Sequence, residues 1–254
     1  MNRRVVITGM GAVTPIGIGV DDFWQGLLDG RSGVGPITLF DASDYPCRIA
    51  AEVKDWDPLQ FVGAKKAKSL SRSVQFAVGA TQLCLEHGRW NGNKVGDKRI
   101  GVIGAIGHPS EDTLEHVTQV ILQKGYRKVS PRIVGMTSEH AASSEIAMMT
   151  GFQSEVTTIA NTCSAGVYGV GYGRELIKAG YYDALLCVAS DANITYTTIG
   201  SFCRAGMVSE RNDVPETASR PFDKTRDGGV LGEGATCLLL ESAEHAERRN
   251  ASVY

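Results

Sequence analysis

The sequence predicts an α/β domain whose largely parallel sheet is covered by helices on both faces. Three observations carry that reading. Short apolar runs rich in Val, Ile and Leu alternate with longer segments of helical spacing. Those runs are nearly continuous in apolar character, as expected of strands buried on both faces. A hydrophobic content of 43% over 254 residues is enough for a sizeable core.

The strand candidates are residues 4–8, 99–103, 155–160, 184–190 and 235–241. Helix candidates fall between them. Residues 20–29 begin near Asp21 and stop at Gly30. Residues 67–87 carry Leu70, Val74, Ala77, Val78, Thr81 and Leu85 at helical spacing, and Gly88 ends them. Residues 113–123 and 138–150 follow. Residues 164–179 stop at Gly180, with Lys178 well placed at the negative end of the helix dipole. Residues 243–249 are the last helix. Residues 31–66 are irregular and read as an excursion on the main sheet. No repeat or linker divides the chain, so residues 1–254 read as one domain.

Charge and cysteine usage exclude several classes. The 26 basic and 28 acidic residues leave a net charge of −2, without the basic excess of a nucleic-acid binder. No apolar run reaches the ~18 residues of a membrane span. The run Val5-Val6-Ile7-Thr8 is too short for a signal-peptide core, so the expected location is cytoplasmic. Six cysteines form no C-x-x-C pair and have no histidine at zinc-ligand spacing. No metal is implied, and most of these thiols are expected to be reduced and buried.

Gly9-Met10-Gly11 after the first strand imitates a dinucleotide fingerprint. Thr14 stands where the third glycine belongs, and no acidic residue ends a strand ~20 residues on, so a tight turn is expected instead. No cofactor is implied. The glycine-rich stretch 219–235 lacks G-K-[ST] and is not read as a phosphate cradle.

The richest segment is residues 157–166, Thr-Thr-Ile-Ala-Asn-Thr-Cys-Ser-Ala-Gly. A buried strand runs into a polar turn, and a helix starts at or just after Cys163. This is the strand–turn–helix arrangement that exposes a nucleophile on a sharp bend. The positive end of the helix favours a thiolate there. Unpaired N–H groups at the same end can receive an oxyanion as a thioester carbonyl is attacked. Gly166, Gly169, Gly171 and Gly173 follow within half of that helix. Each costs ~0.8–1.0 kcal/mol relative to alanine, so close backbone packing is expected of them. The alternative is a buried core cysteine.

Three stretches resemble the elongating β-ketoacyl-(acyl carrier protein) synthases. They are residues 159–167 around Cys163, residues 219–235 (Ser-Arg-Pro-Phe-Asp-Lys-Thr-Arg-Asp-Gly-Gly-Val-Leu-Gly-Glu-Gly-Ala) and residues 4–17. The resemblance implies a thiolase-like half, a mixed five-stranded sheet with helices on both faces. It implies that residues 1–254 are the N-terminal ketosynthase domain and that the C-terminal half lies elsewhere. The family's active-site histidines, lysine and second oxyanion donor belong to that half. His87, His108, His116, His140 and His245 do not occupy those positions.

By the same resemblance, Cys163 takes an acyl chain from acyl carrier protein, and a malonyl-derived carbanion then attacks it. His108 (followed by Pro109), Ile133 and Phe202 stand at acyl-pocket positions. The histidine replaces a branched aliphatic residue, which points to a polar, unsaturated or aryl-bearing chain. A loop turned to water is the other reading of His108. Lys65, Lys68, Arg127 and Lys128, with Lys66 between, resemble the carrier-docking surface. Arg220, Asp223, Arg226, Asp227 and Glu233 read as one structural charge network. The implied partners are the carrier protein and a second subunit. That subunit is a twin pairing through residues 155–160, a full-length ketosynthase, or a chain supplying the C-terminal half. The rival reading is a non-catalytic, chain-length-factor-like subunit.

Overall fold

The first strand, β1 (Val5–Thr14), runs twice as far as its apolar opening suggests. The computed structural model describes residues 3–90, 99–108, 110–152 and 154–254. β1 is followed by β2 (Gly17–Ile18), α1 (Val20–Leu28), β3 (Val34–Pro36), β4 (Ile49–Ala51), α2 (Ala64–Ala67) and α3 (Arg72–His87). Next come β5 (Ile100–Ile106), α4 (Glu111–Lys124), α5 (Ile133–Met136), α6 (Ala141–Thr150), β6 (Val156–Ala160) and α7 (Ala165–Lys178). The order closes with β7 (Ala184–Asp191), α8 (Tyr196–Arg204), β8 (Gly234–Ser242) and α9 (Ala243–Arg248).

The main sheet has the order β2-β1-β8-β7-β5-β6. It is mixed, as the family resemblance implied, and the two-residue β2 makes it six strands instead of five. The expectation of a largely parallel sheet is corrected. Only β5 pairs in parallel, with β6 and β7, while β8 runs antiparallel to both β1 and β7. An unbroken apolar run reports burial on both faces and carries no information on strand direction.

Both faces are covered. Along β7, Leu186 and Val188 join one cluster with Phe76, Ala77 and Ala80 of α3 and Ile146 of α6. Their neighbours Leu185 and Cys187 join the opposite cluster with Ile177 of α7. The period-two alternation of side chains thus feeds two cores from one strand. Each fully buried aliphatic side chain contributes about 1.5–3 kcal/mol. β3 and β4 form a separate hairpin, and Ile49 of β4 packs with Cys47, Val208 and Ala218 in a third cluster.

The tight turn expected at Gly9–Gly11 is also corrected. The strand continues through both glycines with one register shift between Ile7 and Gly9. A Cβ on Gly11 would lie 2.0 Å from the Ala80 carbonyl oxygen, and one on Gly9 2.6 Å from that of Cys84. The glycines are there so that α3 can lie against the strand backbone.

The helix expected over 67–87 is broken into α2 and α3, with Ser71 starting the second. The Gln75 side chain donates to the carbonyls of Ala67 and Leu70 and satisfies the end of the first piece. Of the four glycines in α7, three face the sheet. A Cβ on Gly173 would sit 2.8 Å from Cys187 Sγ, and on Gly169 or Gly166 3.3 Å from Ala105 or Ala189. Gly171 meets nothing within 4 Å, so close packing does not explain it.

α8 was not foreseen. Its Tyr-Thr-Thr-Ile-Gly-Ser stretch is rich in β-branched residues and has low helix propensity. The helix is started by Thr195, whose hydroxyl accepts from the Thr198 N–H at 3.2 Å.

Candidate active site

β5, β6 and β7 run parallel, so their C-terminal ends lie on one edge of the sheet. In open α/β sheets that edge is where ligands bind. Ile106 pairs with Ala160, and Ala105 with Ala189. The loops carrying Gly107 and His108, Asn161–Cys163, and Asp191–Asn193 therefore leave neighbouring strands together.

Cys163 lies in a single 3-10 turn, Thr162–Ser164, directly before α7. Thr162 has φ 48°, a left-handed conformation unusual for a β-branched residue. The turn is held by Asn161 Nδ2 donating to Ser164 Oγ at 3.1 Å, and by Ser164 Oγ donating to the Asn161 carbonyl at 3.0 Å. The bend presents Cys163 to solvent beside the N-terminal N–H groups of a 14-residue helix. Among the cysteines it alone is exposed. Cys47, Cys84, Cys187 and Cys237 are buried, and Cys203 is half-buried. Burial pushes the Cys187 thiol up to about 12 and raises those of Cys47 and Cys237 as well, so these groups stay protonated.

His108, Ile133 and Phe202 are not brought into one cavity. The His108 side chain is 47% exposed, with Nδ1 3.3 Å from Glu111 Oε1. Pro109 lies outside the described residues. Ile133 lines a cleft of about 300 Å³ with Lys68, His116, Lys128 and Arg132. Phe202 packs on the cluster of Cys47, Ile49, Val208 and Ala218.

The same cleft gathers part of the basic set. Lys68 and Lys128 line it from two elements, and Lys65 and Arg127 are exposed nearby in sequence. Lys66 behaves differently, because its ammonium pairs with the buried carboxylate of Glu145. The charge network expected around the glycine-rich stretch divides in two. The carboxylate of Glu233 is buried, and accepts from Arg72 Nη2 at 2.6 Å and Nε at 2.8 Å and from the Val53 N–H. Asp223, Arg226 and Asp227 lie in an exposed loop, where Asp227 takes Ser209 and Arg211 as partners.

Asp191 and Asn193 are site residues that the sequence reading missed. Asp191 accepts from the N–H groups of Gly107 and His108 and from Asn193 Nδ2 at 3.0–3.1 Å. Burial raises its pKa, against the pull of those hydrogen bonds. The available signal was a strand ending in Ser-Asp and followed by Ala-Asn, polar groups at the edge where ligands bind.

A mixed sheet between helices, with an exposed cysteine on the elbow into a glycine-lined helix, defines a thiolase-like ketosynthase half. The chain belongs to the β-ketoacyl synthases, matching the family's "Beta-ketoacyl synthase, N-terminal domain" over residues 2–246. It is 41% identical over 252 residues to a Synechocystis protein named 3-oxoacyl-[acyl-carrier-protein] synthase 2, covering 99% of this chain and 61% of that one. Its fold matches the ishigamide ketosynthase/chain length factor with a TM-score of 0.90 at 32% identity, over 100% of this chain and 62% of that one. It also matches a structure described as a type II PKS acyl-carrier protein in complex with its ketosynthase bound to the hexaketide. There the TM-score is 0.85 at 28% identity, over 100% of this chain and 62% of that one. The chain thus spans about three fifths of the length of these relatives. Among the described residues, no helix is long and apolar enough to cross a membrane.

Proposed function

We propose that Cys163 is the acyl-accepting nucleophile of fatty-acid or polyketide chain extension. The observation that carries this is the exposure of Cys163 on the strand–helix elbow of a β-ketoacyl synthase fold. Its thiolate attacks the thioester carbonyl of an acyl carrier protein, the thioester to Cys163 forms, and the carrier's thiol leaves. A malonyl-derived carbanion, formed with loss of carbon dioxide, then attacks the new thioester and returns the Cys163 thiolate. The acid–base groups for that second step are supplied from outside residues 1–254, by a partner chain or a further stretch of polypeptide. The family resemblance gives His108, Ile133 and Phe202 to the acyl path; they share no cavity within this chain, so a partner chain or a further stretch of polypeptide completes that path.

Lys65, Lys68, Arg127 and Lys128 dock the acidic carrier. Reversing Lys65 and Lys68 to glutamate is expected to slow acyl transfer from the carrier by roughly tenfold or more at low salt. Transfer from a small synthetic thioester should be unchanged. The adduct is followed by intact mass and mapped by peptide digestion. Equal slowing of both donors would reject the docking role. An adduct on Cys187 or Cys203 with Cys163 unmodified would reject the nucleophile.

The chain also works within an assembly. β6, expected from its sequence to be a buried strand, is instead an edge strand, half-buried from Val156 to Ile159 and exposed at Ala160, and unpaired edges invite strand pairing. On the outer side of α7, Val167 is 79% and Tyr168 60% exposed, an apolar surface that a partner covers. Light scattering at micromolar concentration should show a dimer or a larger complex. A stable monomer, with nothing recovered alongside it, would remove this part of the proposal.

A further inference from the structure

The sheet edge beside Cys163 carries a buried acceptor that the acyl-transfer chemistry does not use. Asn193 Oδ1 is buried and has no hydrogen-bond partner. Its orientation is settled by its neighbour, because the other end of the amide donates to Asp191 Oδ1 at 3.1 Å. A carboxylate accepts only, so the amide nitrogen must face it and the oxygen must face away. Buried acceptors in native structures are nearly always paired, and an orphan at a ligand-binding edge marks a place for a ligand donor.

The surrounding polar groups are tied to one another. Asp191 also holds the N–H groups of Gly107 and His108, which ties the loop after β5 to the end of β7. His108 Nδ1 lies 3.3 Å from Glu111 Oε1, and the Thr198 hydroxyl donates to the other oxygen of Glu111. Thr198 is buried at the start of α8. Asn193 and His108 thus stand on one edge, each with a carboxylate behind it, Asp191 at the Asn193 amide nitrogen and Glu111 at the imidazole.

We propose that Asn193 and His108, positioned by Asp191, Glu111 and Thr198, select acyl chains that carry a hydroxyl group over plain alkyl chains. This rests on the acyl-accepting reading of Cys163 and adds the class of chain it accepts. A hydroxyl donates to Asn193 Oδ1 and relieves the orphan. A methyl in its place leaves the acceptor buried and unpaired, and sites built around such a bond discriminate strongly against the analogue lacking it.

The test is a competition between ω-hydroxynonanoyl and decanoyl N-acetylcysteamine thioesters, which exchange hydroxyl for methyl at the same length. The adducts on Cys163 are counted by intact mass. The hydroxylated chain should be favoured by roughly tenfold or more. Asn193→Leu should reverse the preference, and Thr198→Val should weaken it. Equal labelling of the wild-type protein, or an unchanged preference in Asn193→Leu, would overturn the proposal. The wild-type comparison decides even if the leucine variant fails to fold. A second measurement uses the corresponding amides, which cannot acylate a thiol, and reads the rise in melting temperature. A larger rise with the hydroxylated amide supports the selective seat even if neither thioester labels Cys163, an outcome that would count against acyl transfer alone. Equal or absent shifts with both amides would refute the seat.

Discussion

Replacing Cys163 by alanine is expected to abolish the acyl adduct and lower any acyl transfer by the assembled enzyme by about 10⁴-fold or more. Removal of a covalent nucleophile eliminates the path through the enzyme thioester, and losses up to about 10⁶ are known for such knock-outs. Of the other five cysteines, Cys203 alone escapes burial, being half-buried on α8. Cys187 is buried with its thiol pushed up to about 12, and Cys47, Cys84 and Cys237 are buried too. Stability should hardly change. Cys163 is exposed, and surface substitutions usually stay within about 0.5 kcal/mol. The elbow is held by Asn161 and Ser164 through bonds that do not involve the thiol. Intact mass after thioester treatment reads the adduct, and urea unfolding reads the stability. A surviving adduct in a normally folded Cys163→Ala protein would transfer the nucleophile's role elsewhere.

The second large effect is on folding. Glu241, on β8, is fully buried. Arg249 Nε lies 2.9 and 3.0 Å from its two oxygens, and His245 and Thr8 complete the shell. Arg249 also donates to the Gly88 carbonyl and lies over the Trp90 ring, 5.0 Å from its centroid. The cluster thus joins the sheet, the end of α3 and the segment after α9. Arg249→Met is expected to destabilise the protein by about 3–5 kcal/mol, because it leaves a buried carboxylate short of its main counter-charge. The double variant Glu241→Gln, Arg249→Met should recover part of that loss. Urea unfolding near pH 7 measures both, and a loss below ~1 kcal/mol for Arg249→Met would contradict the assignment.

The pH dependence carries the same sign. Burial pushes the Glu241 carboxyl up, but the hydrogen bonds from His245, Arg249 and Thr8 outweigh it and hold it at about 2, below its ordinary 4.5. A depressed carboxyl contributes stability that is complete above its unfolded value. Wild-type protein should therefore lose this contribution as pH falls from about 4.5 towards 2. In Arg249→Met the carboxyl loses that support and the acid-sensitive window moves upward.

Much of the site was legible before any coordinates. The bend at Cys163 follows from a strand, a polar turn and a helix start in succession, all local properties of residues 156–178. The strands at 100–106, 184–191 and 234–242 follow from apolar runs of strand length. What escaped was whatever depends on distant parts of the chain. Gly9 and Gly11 look like a turn in sequence, and only the approach of α3 shows why they are glycine. α8 has poor local propensity and survives on the Thr195 cap and the burial of Thr198 and Ile199.

The sequence by itself placed most of the apolar, strand-length segments of the core and the bend at Cys163. Those depend on composition and on contacts within a few residues. The tertiary structure decided strand direction and order, the division of the glycine-rich segment's charges, and the meeting of Asp191, Asn193, His108, Glu111 and Thr198. The members of that group stand up to 90 positions apart, from His108 to Thr198. Their convergence exists only because β5 and β7 lie side by side and end on the same edge. Periodicity reports whether a residue is inside. It does not report what stands opposite, because that is set by long-range pairing of strands.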